Sequence, residues 1–191
     1  TQAQTLLGLI YYDSPQIKNN YQQAAKWLKL AADQESLIGQ HALAVMYQNG
    51  EGFKKDPIKA AKIYEYTAKQ GYGPSQNNLA VMYLKGIGVE KDYSKAYKLL
   101  KQSSDQNIPQ SDFLLGYMYL KGLGISQNNK KAAELFKRAA DQGISQAQTN
   151  LALMYIKGIG VEKKQRKSDK TLFGLAPEIR SMFKESISCK S

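Results

Sequence analysis

The stretch AVMYLKGIGVEKDYSKA, residues 80–96, decides the fold. Its Met82-Tyr83 pair recurs as Met46-Tyr47, Met118-Tyr119 and Met154-Tyr155, each 36 residues from the next. Its glycines Gly86 and Gly88 recur in the same register as Gly50/Gly52, Gly122/Gly124 and Gly158/Gly160. Further back, that register gives Leu7, Leu43, Leu79, Leu115 and Leu151, and one residue on Gly8, Ala44, Ala80, Gly116 and Ala152. A second half-pattern runs Ala24, Ala60, Ala96, Ala132 and then Gln34, Gln70, Gln106, Gln142. So many columns in one register, with no insertion, define an internal repeat, and the repeat fixes the architecture before any single element does.

Each period predicts two helices. The first is expected near 39–49, 75–85, 111–121 and 147–157, with a counterpart at 3–12. Its apolar columns, Leu79, Met82 and Tyr83 in one copy, sit at i, i+3 and i+4 on one helical face. It should end at a glycine, which accepts the left-handed conformation that closes a helix. An apolar anchor follows each glycine pair: Phe53, Val89, Ile125 or Val161. The second helix should open after Asn20, Asp56, Asp92 or Asn128, whose side chains can cap the first turn. Pro57, just inside Asp56, sits where a missing N–H costs nothing. Ala24, Trp27, Leu28 and Ala31 with their repeats form a stripe whose small residues let a neighbouring helix approach closely. One such pair cannot bury its apolar face alone, so stacked pairs form a solenoid.

The columns also carry a family resemblance. AQxxLGxxY at 3–11, the quoted stretch at 80–96, and Ala139-Ala140-Asp141-Gln142-Gly143 resemble Sel1-like repeats, relatives of the tetratricopeptide repeat. The resemblance covers roughly residues 1–161. It implies an all-α, right-handed α/α superhelix of 36-residue helix-turn-helix repeats, its concave face built from the first helices. The expected division is repeat 1 at 1–36 with an atypical loop, repeat 2 at 37–72, repeat 3 at 73–108, repeat 4 at 109–144, a partial repeat at 145–161, and a basic segment and capping helix at 162–191. Ser14 and Gln16 stand at the glycine positions of the first copy, hence its different loop. In the fifth copy Lys164 and Ser168 replace the Asp/Asn and Ala of the second helix. Ile179, Met182, Phe183 and Ile187 then give an amphipathic pattern after Pro177, and terminal repeats must seal a solenoid core. A capping role for 171–188 is favoured over a detached tail. The chain starts at Thr1 and almost on a helix, so the expectation is that an N-terminal segment was removed and earlier repeats with it, any leader peptide being out of view.

Composition narrows function. Of 191 residues 42% are apolar, an ordinary globular share, and no apolar run approaches the length of a membrane span. A single cysteine, Cys189, and a single histidine, His41, leave no internal disulfide and no Cys/His metal cluster. No metal or cofactor is expected. The Gly-x-Gly pairs follow helices rather than strands, so they read as helix–helix connections and not as phosphate loops. His41 reads as polar surface on a solvent-facing helical position rather than as a catalytic base. A cysteine-rich branch of Sel1-like proteins has been linked to β-lactam binding, which makes a β-lactamase-like enzyme the alternative reading. Those proteins staple each helix pair with a disulfide, which one cysteine cannot do.

The first helices also suggest a binding face. On a wheel of about 100° per residue, columns 5, 9, 12 and 13 cluster opposite Leu7 and Tyr11. By resemblance to tetratricopeptide repeats, that cluster lines the concave groove. The candidate contact residues are Tyr12, His41, Asn77, Val81, Leu84, Lys85, Phe113, Tyr117, Leu120, Lys121, Ile156 and Lys157. Its middle and C-terminal copies are apolar and aromatic with a lysine at each edge. Such a surface fits a protein partner, an apolar peptide or helix carrying carboxylates. The competing reading is that columns 9 and 12 pack against the adjacent repeat.

The net charge is +11, of which residues 162–191 hold +4. The repeat lysines read as solvated helix faces beside acids. One dense patch, Lys163, Lys164, Arg166, Lys167 and Lys170, could bind anionic phosphates or a membrane surface. No nucleic-acid motif is present, and no nucleic-acid partner is expected. The functional expectation is a non-enzymatic scaffold or adaptor, of the kind found among bacterial envelope and host-directed factors.

Overall fold

The computed structural model describes residues 1–14, 16–17 and 20–161. The expected capping helix, the basic patch at 163–170 and Cys189 lie outside the described residues. Among the described residues there are nine α-helices and no strand. The first helices of the repeats are α1 (Gln2–Tyr12), α3 (Leu37–Asn49), α5 (Gly73–Lys85), α7 (Pro109–Lys121) and α9 (Ser145–Lys157). The second helices are α2 (Asn20–Ala32), α4 (Pro57–Lys69), α6 (Tyr93–Ser104) and α8 (Asn129–Asp141).

The helix ends follow the local chemistry read from the sequence. Gly50, Gly86, Gly122 and Gly158 take the left-handed conformation just after the first helices. Asp56 accepts the Lys59 N–H at 2.8 Å, Asp92 that of Lys95 at 2.9 Å, and Asn128 that of Lys131 at 3.0 Å. Two details differ from expectation. First helices 2–5 begin two residues earlier than the apolar period indicates, because their opening turns hold Pro74, Pro109 and other residues outside the apolar columns. Asn20 is the first residue of α2 rather than the residue before it. In the first copy α1 closes on Asp13 at φ −85° instead of on a glycine, and Ser14 Oγ bonds the Ile10 carbonyl at 2.6 Å.

Two compact units divide the chain, Thr1–Ser103 and a second from Ser104 onward. In the first unit, α1 lies on α2, α3 on α2 and α4, and α5 on α4. Ala24, Ala25, Leu28, Leu43 and Met46 form one core cluster there. In the second, α8 packs against both α7 and α9, and Phe136, Leu151, Met154 and Tyr155 are buried among alanines. The small column one residue after the leucine column has a steric reason: a Cβ at Gly8 would stand 2.5 Å from Leu28 Cγ, and one at Gly116 would stand 3.0 Å from the Phe136 ring. At Gly8 and Gly116 the buried side chain of the facing second helix, Leu28 or Phe136, occupies the space that a Cβ would need.

The second glycine of the pair marks another close approach at Gly88 and at Gly160. Gly88 has φ +71°, and a Cβ there would run into the Pro57 carbonyl at the start of α4. Gly160 meets the Asn129 carbonyl in the same way. The inter-helix loop therefore lies directly on the opening turn of the preceding second helix.

Candidate functional site

The face formed by columns 5, 9, 12 and 13 differs between the two units. In the first it is largely engaged with itself. Thr5 is buried, its hydroxyl 3.0 Å from Ser36 Oγ. Tyr12 donates to Glu51 at 2.7 Å, and Asn49 reaches the same carboxylate at 3.2 Å. Burial and that carboxylate together hold the Tyr12 phenol well above its ordinary range. Asn77, Val81 and Leu84 are half-buried, and Lys85 is exposed. Of columns 9 and 12 in this unit, Leu9 and Tyr12 pack against the cluster that holds Leu43 and Met46.

His41 is not on a solvent-facing position. Its ring lies 5.4 Å from that of Tyr64 and 5.3 Å from that of Tyr72, and its Nδ1 is 2.9 Å from Ser75 Oγ. Thr67 in turn donates to Ser75 Oγ at 2.6 Å. Column 5 of α3 therefore points at α4 and the start of α5, and the imidazole fills the gap between them. Burial lowers its pKa to about 4 and keeps it neutral. The histidine–serine contact offers no accessible nucleophile, because Ser75 is wholly buried. No group of three or more metal-ligating side chains occurs among the described residues.

In the second unit column 9 is exposed, whereas in the first it is half-buried. Phe113 and Leu120 of α7 are half-buried, packing against the cluster that holds Leu151 and Met154. Phe113 also meets Phe136 at 5.9 Å between ring centroids. Tyr117 and Leu153, both of column 9, are 40% and 42% exposed. Ile156 is half-buried, and Thr149, Lys121 and Lys157 are exposed. The Lys121 ammonium lies 5.9 Å from the centre of the Tyr117 ring. The one acid on either helix, Asp112 of α7, is completely buried. The exposed residues of α7 and α9 are thus apolar (Tyr117, Leu153), cationic (Lys121, Lys157) or neutral polar, with no exposed carboxylate.

Asp112 is a feature the periodicity hid. Its column otherwise holds glutamine, and Gln40, Gln76 and Gln148 reach back to the carbonyls of Ala32, Ala68 and Ala140 at 3.4, 3.2 and 3.4 Å. A carboxylate cannot donate that bond. Here Arg138 Nη2 donates to the Ser104 carbonyl at 3.1 Å and pairs with Asp112 Oδ2 at 3.2 Å, while Ser104 Oγ donates to Asp112 Oδ1 at 2.5 Å. Three residues change together to replace one glutamine. Burial raises the Asp112 pKa, with the Ser104 bond and Arg138 opposing.

The charge pattern also corrects the sequence reading. The helical lysines of the first unit do not alternate with acids. Along α2, α4 and α6 eight exposed lysines accompany one glutamate, Glu65, while α1, α3 and α5 carry Lys85 alone. Averaging over the repeat concealed this, because the acids lie in the loops and caps.

Comparison with known proteins places these features. Residues 1–36, 37–72, 73–108, 109–144 and 145–168 each match the family described as Sel1 repeat. Among solved structures, the chain is similar to a protective antigen present in uropathogenic Escherichia coli strains, which displays an SLR fold. Identity to that antigen is 30% with a TM-score of 0.81, over 90% of this chain and 37% of the antigen. It is also similar to a Sel1 repeat protein from Oxalobacter formigenes, 27% identical with a TM-score of 0.78, over 95% of this chain and 68% of the other. No curated protein matches. The fold class is the all-α repeat superhelix of these neighbours.

Proposed function

The chain belongs to the Sel1 repeat family, and from that premise we propose that it is a non-enzymatic interaction module that holds a partner segment on the first-helix face of its second unit. Family members are generally protein-interaction scaffolds rather than enzymes. The observation that carries the reading is the pair Tyr117 and Leu153, both about two-fifths exposed and one repeat apart, with Lys121 and Lys157 beside them. Exposed apolar side chains in register on successive helices, rimmed by charge, form a partner surface rather than scattered surface apolarity. Phe113 and Leu120 of α7 pack into the adjoining core cluster.

The partner that fits is an apolar peptide or helix bearing Asp or Glu. Its apolar residues would cover Tyr117 and Leu153, and its carboxylates would meet the two lysines. The polar, self-bonded face of the first unit would contribute less. A peptide-display selection on the whole chain tests this. Tyr117→Ala/Leu153→Ala is the informative variant, since both side chains are accessible and the core cluster is untouched. Enriched ligands should combine aliphatic or aromatic residues with acids, and the variant should weaken them by about 2 kcal/mol, roughly 30-fold. Ligands that bind the folded variant as tightly as the parent would refute the assignment.

A further inference from the structure

The lysine surface of the first unit is a separate feature, and it has a shape. Two open recesses lie between successive second helices. The first, about 380 Å³, has Leu43 and Gln40 at its floor and Lys59, Lys62 and Tyr66 of α4 along its wall, with Asp33 at the rim. The second, about 480 Å³, sits one repeat further on and is lined by Leu79 and Tyr83 below and Lys69, Lys95 and Lys98 around it. The carboxylate in this second recess, Glu65, accepts the Tyr83 hydroxyl at 3.1 Å. Lys59 and Lys95 rest on the rings of Tyr47 and Tyr83, and Lys95 also meets Asp92 at 3.7 Å. Lys26, Lys29, Lys62, Lys69, Lys98 and Lys101 form no ion pair among the described residues.

Apolar side chains are interleaved with these charges. The outer edge of α4 reads Ile58, Lys62, Tyr66, Lys69 at helical spacing, with Ile58 59% and Tyr66 49% exposed. Leu30 occupies the Tyr66 column on α2 and is exposed as well. Long lysine stems with charged tips, set beside an aliphatic and a phenol, match the face of an element lying at a lipid–water interface. The cations are all lysine; the first arginine of the chain is Arg138. Lysine is a mobile point charge without the fork that fixes a particular carboxylate or phosphate, so it suits a fluid anionic surface. Each lysine near such a surface contributes attraction that falls away over a Debye length.

We infer that the α2–α4–α6 face of the first unit docks on an anionic lipid bilayer, with lysines at the headgroup phosphates and Ile58 and Tyr66 at the acyl boundary. Its residues are other than those of the proposed partner face on α7 and α9, and other than the basic residues at 163–170.

The test is co-sedimentation of the whole chain with vesicles of pure phosphatidylcholine and with vesicles containing roughly one-third phosphatidylglycerol. Binding is expected to the anionic vesicles alone and to vanish at about 0.5 M salt. Lys62→Gln/Lys69→Gln/Lys98→Gln should lower binding on the order of 100-fold with unchanged helicity and melting temperature. Ile58→Ser/Tyr66→Ser should weaken it while leaving its salt dependence in place. Equal binding to both vesicle types, or full binding by the triple glutamine variant, would overturn the proposal. So would loss of binding only when Lys163, Lys164 and Lys167 are neutralised. Tighter retention by a polyglutamate or duplex DNA probe than by the anionic vesicles, at matched charge and salt, would also overturn it in favour of a macromolecular polyanion.

Discussion

At the residue scale, a half-buried histidine and a fully buried aspartate give the protein opposite responses to acid. His41 has a folded pKa of about 4 against 6.5 for a free imidazole, so the neutral ring is what the fold accepts. Its contribution is fully present above pH 6.5 and is lost as pH falls toward about 4. The loss should reach about 3 kcal/mol at the acid end. Chemical denaturation of the parent between those limits should show it, and His41→Gln should flatten that part of the profile; an unchanged slope would mean the ring is not desolvated. Asp112 shifts the other way, upward, so its contribution is fullest below the ordinary carboxyl value and declines as pH rises through the folded pKa. Its ionised form depends on Arg138, half-exposed and 3.2 Å away. Arg138→Ala should therefore cost about 2 kcal/mol, less than for a fully buried pair because solvent reaches the guanidinium. Adding Asp112→Gln should recover most of it by restoring the bond that Gln40, Gln76 and Gln148 make. If the double variant is no more stable than the single one, the three-residue exchange is not the compensation described above.

At the element scale, the sequence was legible where chemistry is local. Glycine at a helix end, aspartate before a first turn and leucine at a fixed column each depend on a few neighbouring residues, so periodicity alone located the helices to within two residues at their starts. The reason for two glycines rather than one was not legible, because it lies in contact with another repeat. Both Gly86 and Gly88 have positive φ, but a Cβ at Gly86 would make ordinary contacts with Lys91, the nearest at 3.4 Å, whereas at Gly88 it would strike the Pro57 carbonyl. Gly86→Ala should thus cost about 1 kcal/mol for conformation alone. Gly88→Ala should cost roughly 3 kcal/mol, since the backbone of α4 must move as well. Equal costs in thermal melts would show that the loop can lift from the preceding helix. His41 was misplaced for the same reason: a helical wheel gives the direction of a side chain but not which neighbour awaits it there.

At the scale of the whole molecule, position in the stack decides what one column means. The leucine column is uniform in sequence, yet Leu7 is 37% exposed and Leu79 only 3%. Leu79 stands on α5, which packs on α4, while α1 has no second helix before it among the described residues. The same logic separates the two halves of the candidate binding face. Column 9 is half-covered in the first unit, at Leu9, Val45 and Val81, and exposed at Tyr117 and Leu153 in the second. The repeat therefore made the candidate columns legible but not which copies are available to a partner. A leucine-to-alanine ladder measures this positional effect directly. Leu79→Ala should cost about 3 kcal/mol, transfer plus the cavity left behind, and Leu7→Ala about 1 kcal/mol, because solvent already reaches that side chain. Denaturant titrations of the two variants, with m-values compared to confirm a common unfolding transition, give the difference. A penalty at Leu7 equal to that at Leu79 would mean that α1 buries its outer face in solution, and the exposure of Ala3, Leu7 and Ile10 would then have to be read as a contact surface.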